Sequence, residues 1–276
     1  MSKLNILFSL SLLAFWINPI SGQEEIQYGS NNGQYISIQN TRIYYEEYGQ
    51  GTPLILLHGG IWHSMSYYGM VIPELSNHFR VIAVDSPGHG RSEQADTMSY
   101  QLMSDYISEM IDLMDLDSAF VLGCSDGSVV ALLLAHDRPD KIKRIISDGG
   151  IISADGYNSG IVEGLESISP ETMGDWIEWY KNLNPQKDRW EEFIWDAKKM
   201  WLDLPYIPDS TIGNIKCRTL ILMGDRDFAI TLEHGLELYR SIEGSEFAVI
   251  PGAGHCICDK KPELMNKIVI DFLTAQ

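Results

Sequence analysis

Val121-Leu122-Gly123-Cys124-Ser125-Asp126-Gly127-Ser128 closes one apolar run and opens another, 129–135. The order apolar strand, sharp turn, apolar helix gives the embedded G-x-S-x-G its meaning. Such a turn forces the serine backbone into a strained conformation and lifts its hydroxyl clear of the sheet. Glycine is needed on both sides because a Cβ there would collide with the adjoining strand or helix. The next backbone N–H, that of Asp126, stands at a helix N-terminus, where an oxyanion would be held. Ser125 is therefore the candidate nucleophile. A serine that merely caps the following helix would explain Ser125, but not glycines 123 and 127.

Working outward, the chain alternates strands with helices. Residues 35–48 read as two strands joined by the turn Gln39-Asn40-Thr41, with alternation at Ile36/Ile38 and Ile43/Tyr45. Residues 53–57, 79–84, 118–122 and 143–147 are short, continuously apolar strands of the kind buried on both faces. Between them, Met103, Tyr106, Ile107, Met110, Ile111 and Met114 mark one face of a helix over 99–114, and 127–136 forms a helix apolar almost all round. The pattern implies an α/β fold with a mostly parallel, doubly wound sheet. It breaks after Asp148-Gly149-Gly150. Residues 151–216 carry helical patterns and Trp176, Trp179, Trp190, Trp195 and Trp201, and read as a helical lid inserted before the penultimate strand. Most of these tryptophans are expected to hold the lid together, with two or three facing the pocket. The sheet resumes at 219–223 and 246–250, and a last helix covers 262–273. The domain reading is thus a core of 23–150 and 217–276 with a cap of 151–216.

The 276 residues suffice for one large domain. With 38 acidic against 20 basic residues, the net charge of −18 argues against nucleic acid and anionic membranes as partners. Lys3, the apolar stretch 6–17, the break at Asn18-Pro19 and small Ser21-Gly22 read as a signal peptide over 1–22, so the mature chain is expected to be exported, periplasmic or secreted. An uncleaved anchor is the alternative. The four cysteines do not form a disulfide framework: Cys256 and Cys258 are too close for ordinary pairing. Cys217 is about 20 Å, one strand length, from the loop that carries them. Four free, mostly buried thiols are expected. No second ligand cluster accompanies His255-Cys256-Ile257-Cys258, so no metal is expected.

A serine hydroxyl needs a base and a group to orient that base. In such sheets, site residues sit on loops at the carboxyl ends of strands. That leaves His58 and His255, with His63 and His89 less well placed. His255 ends Pro251-Gly252-Ala253-Gly254-His255 directly after the last strand. Gly224-Asp225-Arg226-Asp227 follows the penultimate strand, and the order Ser125, Asp227, His255 suits the architecture. Asp148 is the competing acid, and Asp225 is expected to bond its local turn.

With Gly-Cys-Ser-Asp-Gly-Ser at 123–128, Gly-Asp-Arg-Asp at 224–227 and His58-Gly59, the chain resembles the α/β-hydrolase superfamily over about 35–275. Within it these motifs resemble those of valacyclovir-hydrolase-like serine hydrolases, which often carry Gly-Trp-Ser-Asp-Gly-Gly, a pattern from which this chain departs at Cys124 and Ser128. The resemblance implies an oxyanion hole formed by the N–H groups of Gly60 and Asp126. It marks 85–92 as a structural loop and not a phosphate cradle. It implies no cofactor, and a small-molecule substrate: a small carboxylic ester, including an aminoacyl ester. Carbon–carbon bond or lactone hydrolysis on the same triad, and a slow-turnover binding protein, are the alternatives. The Asp126 carboxylate either meets a cationic substrate group or bonds a nearby donor.

Overall fold

The computed structural model describes residues 33–203 and 206–275. The expected signal peptide, 1–22, lies outside them. Among the described residues no helix is long and apolar enough to cross a membrane.

An eight-stranded sheet forms the centre, in the order β1-β2-β4-β3-β5-β6-β7-β8. Its strands are β1 (Gln34–Ile38), β2 (Thr41–Tyr48), β3 (Pro53–Leu57), β4 (Arg80–Val84), β5 (Ala119–Cys124), β6 (Ile142–Asp148), β7 (Arg218–Gly224) and β8 (Glu246–Ile250). From β4 onward in that order the pairings are parallel, whereas β2 runs antiparallel to both β1 and β4. The β1–β2 turn is shorter than the three residues expected. Gln39 and Asn40 both have positive φ, 48° and 67°, and Thr41 already pairs with Ile38. A two-residue turn of this handedness follows the strand twist, so the ladder continues to its very end. Strand β5 runs through Gly123 and Cys124, two residues further than its apolar pattern suggests, because β6 pairs with both as Ser147 and Asp148.

The helix Asp126–Asp137 is buried on nearly every side, as an all-apolar sequence requires. It packs on β3, β5, β6 and the helix Tyr100–Leu113, whose N-terminus Ser99 caps through its side chain to the Leu102 N–H. The helix Pro262–Thr274 belongs to the core cluster on the sheet's opposite face, with Met265, Val269, Phe272 and Leu273 buried there. Between β6 and β7 lie short helices and the longer Trp190–Leu202.

Strand order reverses between β3, which leads outward to β4, and β5, which leads the other way to β8. A crevice opens at such a reversal, at the carboxyl ends of the strands. Leu57 aligns with Gly123, Cys124 with Asp148, and Gly224 with Ile250. The loops after β3, β5, β6, β7 and β8 therefore all leave from one rim.

Candidate active site

Ser125 follows β5 with φ 54° and ψ −118°, a conformation that costs a non-glycine residue about 1–3 kcal/mol. The surroundings hold it there. Its N–H donates to the Asp148 carbonyl at 2.9 Å, and its own carbonyl accepts from the Ser128 and Val129 N–H groups at 2.8 and 3.3 Å. A Cβ on Gly123 would stand 2.1 Å from the Gly127 carbonyl oxygen, and one on Gly127 would stand 2.0 Å from that of Leu57. The two glycines thus let strand, turn and helix approach to backbone contact.

The loops after β7 and β8 bring Asp227 and His255 to Ser125. His255 Nε2 is 2.9 Å from Ser125 Oγ, and His255 Nδ1 is 2.9 Å from Asp227 Oδ2. Asp227 Oδ1 accepts from the Ala229 and Ile230 N–H groups at 2.8 and 3.0 Å. With Nδ1–H donating to the carboxylate, Nε2 is left as acceptor for the serine hydroxyl. Burial pulls the His255 pKa down. The hydrogen bond and charge of Asp227, with the charges of Asp148 and Asp126, outweigh it, and the net shift is upward. Asp225, expected to serve the turn, accepts from the Gly252 N–H at 2.6 Å and so ties the two loops together.

Asp148, the competing acid, is buried beside this chain but does not join it. Neither carboxyl oxygen makes a well-formed hydrogen bond. Burial raises its pKa to about 7, against the pull of His255 and of the nearby Ile257 N–H and Cys124 thiol. Its backbone, not its side chain, serves Ser125.

Gly60, one of the two expected oxyanion donors, adjoins the side chain of the other, Asp126. A Cβ on Gly60 would lie 2.7 Å from Asp126 Oδ2 and 2.6 Å from Trp201 Cζ2. Among the described residues neither the Gly60 nor the Asp126 backbone N–H donates to a protein acceptor. Both oxygens of the Asp126 carboxylate are bonded: Tyr100 donates its hydroxyl to Oδ1 at 2.8 Å and the Trp201 indole donates to Oδ2 at 2.9 Å. Burial raises its pKa, and the two donors hold it back. Of the two roles open to Asp126, the structure displays the bond to nearby donors.

The remaining loop histidines are structural. His58 Nε2 accepts from the Ser86 N–H at 2.9 Å and Nδ1 lies 2.6 Å from the Gly59 carbonyl, so the ring is held as one neutral tautomer, and burial lowers its pKa well below the ordinary value. Burial likewise takes His63 and His89 to about 4. In the loop 85–92, Asp85 accepts from Ser64 and from the Arg91 N–H, a structural use.

Four features are not legible in the sequence pattern. Tyr100 and Trp201 come from distant helices, and nothing in the local pattern links them to Asp126. The Cys124 and Cys256 thiols lie 3.8 Å apart; their positions next to Ser125 and His255 were the available signal. Trp62 meets Trp176 edge-on at 4.5 Å and Trp179 at 5.9 Å, extending an aromatic cluster beyond 151–216. Phe228, 64% exposed, stands edge-on to His255 at 5.6 Å. All four cysteines are free. A polar cleft of about 450 Å³ lined by Gln39, Glu93, Gln94 and Arg189 among others includes none of the triad residues.

Residues 52–207 match the alpha/beta hydrolase fold family. The chain is 26% identical over 267 residues to the 2-hydroxy-6-oxo-6-phenylhexa-2,4-dienoate hydrolase of Burkholderia cepacia, covering 86% of this chain and 92% of that protein. It is 24% identical over 256 residues to the human serine hydrolase BPHL, covering 86% and 85%. Among solved structures, the 2-hydroxy-6-oxo-6-phenylhexa-2,4-dienoate hydrolase from Rhodococcus sp. strain RHA1 superposes with a TM-score of 0.73 at 19% identity, covering 88% of this chain and 98% of that one, a likeness of fold. The match spans more than half of the sequence, and the chain is a hydrolase belonging to the alpha/beta hydrolase fold family.

Proposed function

We propose that this hydrolase cleaves a bond to an activated carbonyl group through a covalent intermediate on Ser125. The hydrogen-bonded chain Ser125–His255–Asp227 carries the reading. As Ser125 Oγ attacks the carbonyl carbon, His255 Nε2 takes its proton and Asp227 stabilises the imidazolium. The Gly60 and Asp126 N–H groups receive the oxyanion, each contributing about 3 kcal/mol to lowering the barrier. When the tetrahedral species collapses, His255 returns the proton to the leaving atom. Water then attacks the acyl-enzyme by the same route, releasing the acid and restoring Ser125.

The relatives favour a carbon–carbon bond as the one broken. A 2-hydroxy-6-oxo-6-phenylhexa-2,4-dienoate contains neither ester nor amide, so hydrolysing it means parting the ketone carbon from its chain. Several of the relatives are named for such dienoates. This reading displaces the small carboxylic ester that the sequence alone suggested. Ester hydrolysis remains the second reading for one reason. The Ser125–His255–Asp227 chain serves an ester carbonyl as well as a ketone, with His255 returning the proton to the leaving oxygen. An aminoacyl ester loses support, because Asp126 is already bonded by Tyr100 and Trp201.

The test is product analysis with 2-hydroxy-6-oxo-6-phenylhexa-2,4-dienoate and p-nitrophenyl butyrate in parallel. Benzoate release by the wild type, absent in Ser125→Ala, supports carbon–carbon cleavage. Turnover of the ester with the dienoate untouched overturns it in favour of ester hydrolysis.

A further inference from the structure

Trp201 touches both halves of the proposed oxyanion hole. It lies in the helix Trp190–Leu202, between β6 and β7, far in sequence from either half. Its indole N–H holds the Asp126 carboxylate at 2.9 Å, while its ring edge fills the place a Gly60 side chain would take, 2.6 Å from an ideal Cβ. Its own backbone is fixed as well, since the Tyr206 hydroxyl donates to the Trp201 carbonyl and Tyr157 and Tyr206 share a hydrogen bond at 2.7 Å. On the far side of Asp126, Tyr100 supplies the second donor.

The backbone under this contact is strained on both sides. Ser125 has φ 54°, and Ile61, immediately after Gly60, has φ 69°. A β-branched residue at positive φ is a genuine outlier. Such conformations persist only where the surroundings over-determine them. Gly60 has no side chain of its own to anchor that loop.

We propose that Trp201 is a positioning residue that clamps the Gly60 and Asp126 N–H groups into one oxyanion site, so the site is complete only while the helix Trp190–Leu202 is docked. This rests on the serine-hydrolase reading. A bland alternative is that Trp201 merely satisfies a buried carboxylate. The two differ in what they predict. A satisfied carboxylate governs stability. A clamp governs the rate at which Ser125 forms a tetrahedral species, with little effect on ground-state binding.

The experiment is fluorophosphonate labelling resolved into a maximal inactivation rate and a half-saturation concentration, for wild type, Trp201→Phe and Tyr100→Phe. Trp201→Phe keeps an aromatic ring on the helix but removes both the N–H and the Cζ2 edge that faces Gly60. It is expected to lower the maximal rate roughly tenfold or more, leaving half-saturation within about twofold, while Tyr100→Phe shifts the rate in the same direction by less. A folded Trp201→Phe protein labelled at the wild-type rate overturns the clamp, as does a change confined to half-saturation. Should Trp201→Phe not fold, an unchanged rate in Tyr100→Phe overturns it instead. Failure of the wild type to label rejects the serine-hydrolase reading itself, a separate outcome.

Discussion

Asp227 faces His255 Nδ1 with both carboxylate oxygens, Oδ2 at 2.9 Å and Oδ1 at 3.1 Å, while the N–H groups of Ala229 and Ile230 fix Oδ1 from the other side. The residue next in line for the role, Asp148, lacks any such anchoring and is raised to about 7 by burial. Replacing Asp227 by Ala is therefore expected to lower kcat by roughly 10³–10⁴-fold, without takeover by Asp148. Steady-state kinetics on any turned-over substrate check this, and a loss under tenfold would show that Asp148 substitutes.

His255 must be neutral to accept a proton from Ser125. Because its carboxylate neighbours hold its pKa above 6.5, kcat/KM is expected to rise with pH and to reach half its plateau above 6.5. Asp148→Asn removes one of those charges and is expected to move the midpoint down. A pH–rate profile of both proteins reads the two midpoints.

Asp148 also bears on stability. Its folded-state pKa, about 7, exceeds the ordinary 3.8, so between those values the folded chain binds the proton more tightly than the unfolded one. The stabilisation is fully present below pH 3.8 and is lost as pH rises through 7. Asp148→Asn is expected to melt higher than wild type at pH 8, by about 2–4 °C for each kcal/mol recovered, with the gap closing toward pH 4. Thermal melts across that range check the sign.

Gly127→Ala places a methyl 2.0 Å from the Leu57 carbonyl oxygen. With backbone on one side and the helix start on the other, neither can give way cheaply. Destabilisation of about 1–3 kcal/mol is expected, measured by urea unfolding, together with loss of activity from the displaced elbow.

Cys124 and Cys258 are buried while Cys217 and Cys256 are half-buried. A thiol-specific chromophoric reagent is expected to react with no more than two thiols in the native protein and with four after unfolding. Fewer than four in denaturant would show that the 3.8 Å Cys124–Cys256 pair has been oxidised.

Much of this fold is legible in the sequence because its signals are local. Continuous apolar runs mark β3 to β7, and the Gly123 and Gly127 spacing marks a turn that only glycines allow. The loop rule narrows seven histidines to a few, and His255 is the one found beside Ser125. What stayed hidden depends on tertiary approach. Trp201 reaches Asp126 across 75 positions of sequence, and no periodicity encodes such a contact. The β1–β2 turn is one residue shorter than its composition suggests, because a two-residue turn and a three-residue turn share the same polar composition and the ladder alone separates them.

The most direct measurement is mass-spectrometric mapping of fluorophosphonate adducts on the wild type and on Ser125→Ala. A single adduct on Ser125, absent from the folded variant, is the predicted result. A folded wild type that takes no label, or a variant labelled as fast as the wild type, would contradict the assignment of Ser125 as nucleophile.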